Sequence, residues 1–550
     1  MKLDALRGIG PRTREALGRL GIDSVESLLL HLPMRYEDRT RVRPLGDIAP
    51  GDSARFCVRI DDSRVGFGGR RSLLLRASDA SGSVGLRLFH FRREQQERLR
   101  VGSWWLCWGE VRESRWGLEC VHPQMQAVAG PETLPPLGDT LTPIGAEQAS
   151  NGADIPPWEG GLSKTQMERG DNPYAEDEPL YVVTAKNMDQ YGELLSEGHK
   201  ALLQTFPETY RMPVYPTRRS AGFPEYIYAA TKKNATSVEL RNEGHGFCCT
   251  AQGFPFPIPQ NGLEVMWNHI MRYNTKGYRG FLNHAVTTPD GDYVVERSYL
   301  ELSYHYNHPE TTLQTLDNQN LWLMSKVVAP ANKAGDNNLV HVPIDRMREE
   351  TKVWVFNPGL GRTRRIGDVG YDNPLFDGLM THDQLDMFNG PLDRYTVKLI
   401  GKREMLVPYN ANRLYSPEHR YEDIITRGHI NQDLTRYEKH RVWVIDTEVR
   451  EGYAHIYKRR RFYLDEDSWL VMMQDIYDEH DAFWRTSEAH AVMFRNVPLI
   501  VNGVQVHYDL QSRRYVIVNL TNEEDEMIDY DWYEPKRHYT PRELPKFAFR

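Results

Sequence analysis

The chain has 550 residues, 40% of them hydrophobic and 26% charged, which is too long for one ordinary core and normal for a folded protein of two or more domains. No apolar run approaches the ~18 residues of a membrane helix, and Met1-Lys2-Leu3-Asp4-Ala5-Leu6-Arg7-Gly8 has no apolar h-region, so a cytoplasmic chain is expected as written. The net charge of −8 is uneven: residues 1–126 carry 22 Lys+Arg against 16 Asp+Glu, and the remainder 46 against 60, so only the first part suits a polyanionic partner.

In chain order, the first element is a helical hairpin. Leu3, Leu6 and Ile9 precede the turn Gly8-Ile9-Gly10, and Ala16, Leu17 and Leu20 then recur at helical spacing. Gly8 and Gly10 permit a tight turn whose backbone N–H groups can hold a phosphate. A plain packing hairpin is the competing reading. From Ser53 the period becomes two: Ala54–Ile60, Ser72–Ala77, Val84–Phe91 and Trp104–Val111 read as strands with glycine turns, the pattern of an OB-type barrel. Arg70 and Arg71 sit at a turn, and Phe89 and Phe91 share a strand face, which suits backbone neutralisation and base stacking, although aromatics at strand spacing are more often core.

Val25–Pro33, Arg35–Thr40, Phe67–Arg71, Ser78–Gly82, Arg87–Phe91 and His122-Pro123 resemble the wedge domain of the RecG helicases over about residues 3–144. The resemblance implies contact with branched DNA and places Phe89 at the position of the aromatic that packs on the branch point. The motor of that family needs a Gly-x-x-x-x-Gly-Lys-Ser/Thr loop. The chain's Gly401-Lys402 has Thr396 upstream and Arg403 after it, so no nucleotide partner is expected. Asp478-Glu479-His480-Asp481 reads as a solvated acidic turn.

Residue usage changes near 145. No asparagine precedes Asn151 and 25 follow from there; of 29 tyrosines only Tyr36 lies in the first 150 residues. The Pro/Gly-rich stretch 130–145 reads as a linker. The expected division is a helical hairpin over 1–50, an OB-like wedge over 51–128, a linker and seam over 129–150, and a large body over 151–550.

In the body, Asn261–Tyr273 carries Leu263, Met266, Trp267 and Ile270 on one face and reads as a helix. Arg441–Val449, Tyr453–Leu464 and Trp469–Tyr477 read as an antiparallel meander. His305-x-x-His308 has ligand-like spacing without the surrounding acids of a metal site, and Gly359-Leu360-Gly361 lacks the third glycine of a dinucleotide fingerprint. No metal, cofactor or catalytic residue is expected. Cys57, Cys107, Cys120, Cys248 and Cys249 read as reduced thiols, with a redox role for the adjacent pair as the minor alternative.

Leu141–Glu147, Ile155–Leu162, Phe256–Gly262, Met387–Tyr395, Gly401–Met405 and His440–Val444 resemble the domain of unknown function 1329 family. The resemblance implies the fold of the LolA/LolB lipoprotein carriers, a curved antiparallel sheet around a helix, and a periplasmic home for its relatives. It implies an acyl chain or a lipoprotein as partner for residues 145–550, with Val442, Val444, Ile456, Phe462 and Leu464 as candidate lining, and a possible membrane transporter partner. Leu141-Thr142-Pro143 fits both families. The expected fold class is mainly β with some α (α+β), a small OB-type barrel followed by a LolA-like half-barrel with helices. The function expected is a non-enzymatic fusion of a branched-DNA-binding wedge to a carrier-like body. The alternatives are an envelope structural or transport-accessory protein to which the wedge segment is extraneous, and a truncated RecG-type fragment.

Overall fold

The computed structural model describes residues 42–66, 72–79, 81–89, 91, 99–114, 117–128, 137–138, 140–367 and 370–550. Gly8, Gly10, Arg70 and Arg71 lie outside the described residues. The chain divides into two compact units, Met1–Thr133 and Leu134–Arg550. No described helix is long and apolar enough to cross a membrane.

The first unit contains β1 (Ser53–Gly66), β2 (Ser72–Ser78), β3 (Ser83–Leu88), β4 (Trp104–Ser114), β5 (Gly117–Val121) and β6 (Gln124–Val128). β1 serves two neighbours. Its first half pairs with β4 and its second with β2, and a bulge between Ile60 and Asp62 bends it. β2 pairs with β3, β3 runs parallel to β5, and β5 returns to β4, so five strands close in the order β1-β2-β3-β5-β4-β1. This is the OB-type barrel expected from the alternation. Ala54, Phe56, Val58 and Ile60 point inward from β1 to meet Leu73, Leu75, Leu86, Leu88 and Trp105. β3 ends at Leu88, three residues before the expected end, so Phe89 and Phe91 stand past the strand.

The second unit is built on one long sheet, antiparallel except where β8 meets β20. Its strands are β7 (Tyr181–Val183), β8 (Met212–Val214), β11 (Gly277–Thr287), β12 (Tyr293–Tyr304), β13 (Gln319–Ala329), β14 (Asn337–Pro343), β15 (Lys352–Asn357), β16 (Arg362–Ile366), β19 (Tyr395–Pro408), β20 (Tyr437–Val449), β21 (Arg459–Asp465), β22 (Val471–Tyr477), β23 (Phe483–Phe494), β24 (Leu499–Asp509) and β25 (Arg514–Leu520). The order is β16-β15-β14-β13-β12-β11-β25-β24-β23-β22-β21-β20-β8-β7, with β19 also on β20. Small hairpins β9 (Leu240–Arg241) with β10 (Gly246–Phe247), and β17 (Pro374–Leu375) with β18 (Met380–Thr381), stand apart from it. The five described α-helices are α1 (Glu197–Thr205), α2 (Glu225–Ser237), α3 (Gly262–Ile270), α4 (Tyr421–Ile424) and α5 (Leu544–Phe549).

The helix α3 is the core piece. The Asn261 side chain accepts the Glu264 N–H at 3.0 Å, and the Glu264 carboxylate reaches back to the Gln260 N–H at 2.7 Å, a reciprocal cap. Val265, Met266 and Trp267 then pack into the main core beside Val442, Val444, Phe462, Trp469 and Met472. The expected strand over Tyr453–Leu464 begins only at Arg459, after a turn that leaves Ile456 exposed. The segment 141–147 belongs to the second unit: a Cβ on Gly145, whose φ is 99°, would lie 1.8 Å from the Pro257 carbonyl oxygen, so only glycine lets this turn seat on the proline run. The thiol expectation is corrected at one pair. Cys248 and Cys249 form a disulfide, while Cys57, Cys107 and Cys120 are buried thiols.

Candidate functional site

The expected acyl-lining residues do not line one surface. Val442 and Val444 pair with Asp465 and Tyr463, whereas Leu464 and Phe462 pair with Trp443 and Ile445. Directly paired residues share a face and successive residues alternate, so the two valines and the Phe462/Leu464 pair occupy opposite faces of β20–β21. All four are fully buried in packed core, and Ile456, 41% exposed on a turn, is separate from them. The single-cavity expectation for these five residues is therefore corrected. The strands are covered on both sides, and an apolar residue there says nothing about which side it faces.

A different apolar surface emerges from the register of β11–β16. Tyr278, Leu302, Leu323, Val340, Val353 and Ile366 form one continuous cross-strand row. Tyr304, Leu321 and Val342 form the row beside it, and Leu300 and Val355 lie on the same face two residues further along their strands. Leu302, Leu321 and Val342 are buried, but Leu300, Leu323, Val340, Val355 and Ile366 remain partly exposed. The opposite face of these strands is closed: Trp322, Met324, Leu339 and Phe356 lie under Tyr539, Leu544 and Phe547 of the C-terminal segment. One side of this wing thus has its cover, and the other keeps a half-exposed apolar strip.

A buried ionic network anchors the other end of the unit. Arg219 holds both oxygens of Asp467 at 2.7 Å and donates to the carbonyl of Glu147 at 2.7 Å, tying the segment after the seam to the turn between β21 and β22. His440 stacks on Tyr409, with ring centroids 4.0 Å apart, and sits 3.1 Å from Glu438 and 3.5 Å from Asp465. Burial alone would lower the His440 pKa, but its bonds to Asp465 and Glu438 prevail and hold it up to about 9. His440, Asp465 and Asp467 bring one ligand atom each within 4.8 Å of one another, the spacing of a metal site. The Arg219 guanidinium already neutralises Asp467, and the imidazole between two carboxylates is cationic, so these residues fit an internal ion network and not a metal. The His305-x-x-His308 pair is also tied locally: His305 Nε2 lies 2.8 Å from the Thr315 carbonyl oxygen.

In the first unit, Phe89 is 38% exposed just past β3. Its backbone N–H donates to His122 Nε2 at 3.0 Å, and the two rings lie 5.6 Å apart. His122 adopts a φ of 50° at the turn between β5 and β6, so two loops clamp the base of the ring and leave its outer side to solvent. Phe91 lies partly buried against the barrel core, so the two phenylalanines do not act as one stacking pair.

Two family models match this chain. The one described as "Protein of unknown function (DUF1329)" spans residues 182–545, and the RecG wedge domain spans residues 3–136. The uncharacterized protein PA3922 of Pseudomonas aeruginosa is 39% identical over 441 residues, which is 79% of this chain and 97% of that protein. The ATP-dependent DNA helicase RecG of Escherichia coli is 37% identical over 142 residues, 26% of this chain and 20% of the helicase, so the chain spans about a fifth of that relative's length. A crystal structure of a putative outer membrane lipoprotein-sorting protein domain from Vibrio parahaemolyticus covers 52% of this chain and 97% of its own, at 11% identity and a TM-score of 0.36.

Proposed function

The chain belongs to the DUF1329 family, and from that footing we propose that residues 134–550 are a non-enzymatic carrier binding an acyl chain along the half-exposed face of β11–β16. The observation that carries this reading is the asymmetry of that wing. The same strands present two apolar faces; the chain's own C-terminal segment covers one, and Leu300, Leu323, Val340, Val355 and Ile366 keep the other partly open. An acyl chain matches this face because it asks only for apolar contact. Ten buried methylenes supply ~8 kcal/mol before the entropy of association is subtracted. The test uses the full chain, an environment-sensitive apolar dye and a long-chain fatty acid as competitor. Dye uptake and displacement by the fatty acid are expected, and Leu323→Glu or Val340→Glu should weaken both at least tenfold. Absence of dye uptake, or unchanged uptake in variants that keep their circular dichroism, defeats the reading.

The exposed ring of Phe89 favours a second binding role for the first unit. Residues 3–136 match the wedge domain, and we infer that this part binds branched DNA with Phe89 stacked at the junction. No unwinding is proposed, because the Escherichia coli helicase is matched over 20% of its length. On this reading the chain works in the cytoplasm. Binding of a forked duplex should weaken steeply with salt, and Phe89→Ala should cost ~1–3 kcal/mol of affinity. Equal affinity for forked and linear duplex, or an unchanged affinity in Phe89→Ala, refutes this role.

A further inference from the structure

Cys248 and Cys249 belong to neither of the two proposed binding surfaces. The β9–β10 hairpin ends at Phe247, and the chain leaves it with two neighbouring cysteines joined as a disulfide. The Cys248 N–H donates to the Glu239 carbonyl at 3.0 Å, which fixes the first cysteine to the hairpin. Cys249 has a φ of 78° and is exposed, whereas Cys248 is half-buried. Arg241 on β9 donates from Nε to Cys248 Sγ at 3.3 Å, and its guanidinium also pairs with Glu239 at 3.0 Å. Both cysteines line a cavity of about 300 Å³. Phe247, Leu313, Leu316 and Asn318 form its walls, and Arg348 and Asp317 are its charged members. The remaining thiols are of another kind. Cys57, Cys107 and Cys120 are buried, and burial pushes Cys120 up to about 11 and Cys107 higher still, so those two stay protonated.

We propose that Cys248–Cys249 is a thiol–disulfide exchange site for an anionic low-molecular-mass thiol held in this cavity. The geometry sets the direction of attack. The incoming thiolate reaches Sγ of the exposed Cys249, a new S–S bond forms there, and the Cys248–Cys249 bond breaks. The electron pair leaves on Cys248 Sγ, where the Arg241 guanidinium stabilises the thiolate. A second molecule of the same thiol attacks the mixed disulfide, departs as the symmetrical disulfide of the small thiol, and leaves both cysteines reduced. Two electrons pass from two thiols to the protein, and the Cys248 thiolate can instead attack back and restore the starting state. Arg348 supplies the charge that favours a carboxylate-bearing thiol over a neutral one.

The experiment incubates the full oxidised chain with reduced glutathione, quenches in acid, alkylates, and maps the Cys248–Cys249 peptide by mass spectrometry. Glutathione on Cys249 and the alkyl group on Cys248 are expected. Arg241→Ala should slow formation of the mixed disulfide about threefold, the effect of raising the leaving thiol by about one pKa unit. Arg348→Ala should slow glutathione while leaving the neutral 2-mercaptoethanol unaffected, a split that loss of fold would not produce. Glutathione found on Cys248 overturns the proposal. So does a pair that only dithiothreitol opens, or two free thiols in chain purified without reductant.

Discussion

His440 is a cation in a buried place. It is 2% exposed, stacked on Tyr409 and flanked by Glu438 and Asp465. Its folded pKa of about 9 exceeds the ordinary imidazole value of 6.5, so its contribution to stability is full below 6.5 and is lost as pH rises through 9. The size is ~3 kcal/mol at one pKa unit per 1.36 kcal/mol. Tyr409 acts in the same direction: burial and the nearby Asp465 push its hydroxyl well up, so the folded state resists its ionisation. At the acid end Asp383 does the reverse. Burial would raise its carboxyl, but Arg460 and His455 outweigh that and hold it well below the usual range, so its contribution is lost as pH falls below ~4. Denaturant unfolding followed at pH 6 and pH 9.5 should show wild type losing stability across that span. His440→Gln should be about 3 kcal/mol weaker at pH 6, because it leaves buried carboxylates unpaired, and should close most of the gap at pH 9.5. A gap of equal size at both pH values would show that His440 is neutral in the fold. None of this was legible in the sequence, because Glu438, His440, Asp465, Asp467 and Arg219 are spread over 249 positions and only register brings them together. Phe89 could be singled out from the sequence because a local motif carries its position.

Elements were legible where one face is solvated and much less so where both are buried. β1 to β4 alternate because a small barrel has an inside and an outside; β2 was read to within one residue, β3 and β4 miss by three residues at their ends, and of β1 only the half Ala54–Ile60 was read, because its second half runs past the bulge with partly exposed residues. α3 was read from its apolar stripe, and its true start follows the Asn261 cap. β20 and β21 are buried on both faces, so the alternation that would separate Val442 from Phe462 is absent, and the candidate lining was drawn from both sides at once. β11–β16 carry the half-exposed face, yet no short motif marks it; it exists only as rows across six strands. The seat of α3 on β19 offers a test at this scale. A Cβ on Gly262 would lie 2.9 Å from Val397 Cγ1 and 3.1 Å from the Leu399 backbone nitrogen, and backbone cannot swing aside as a side chain does. Gly262→Ala should therefore destabilise the second unit by ~1–3 kcal/mol despite alanine's better helix propensity. A rise in its unfolding midpoint would show that the helix seats with room to spare.

At the scale of the whole molecule, the composition break and the fold agree that there are two units, although the structure divides them at Thr133 and gives the Leu141–Glu147 segment to the second. Among the described residues their core clusters share no member. The first is built from Leu45 to Cys120 around Phe56, and those of the second begin at Ile144. Cooperative unfolding requires that loss of one contact set withdraw support from the other, and two cores with no common member do not meet that condition. Calorimetry of the full chain should therefore show two transitions. Phe56→Ala, which removes a fully buried ring and should cost ~3–5 kcal/mol, should lower only the transition of the first unit. Trp469→Ala should lower only that of the second, since Trp469 is fully buried and donates from Nε1 to the Ile144 carbonyl at 3.1 Å. If either substitution moves both transitions together, the halves fold as one cooperative body. The wedge and the carrier would then have to be treated as a single device, because a ligand bound by one would stabilise the other through linkage. Two independent transitions predict the contrary: saturating fatty acid raises the second midpoint, forked DNA raises the first, and neither ligand shifts its neighbour.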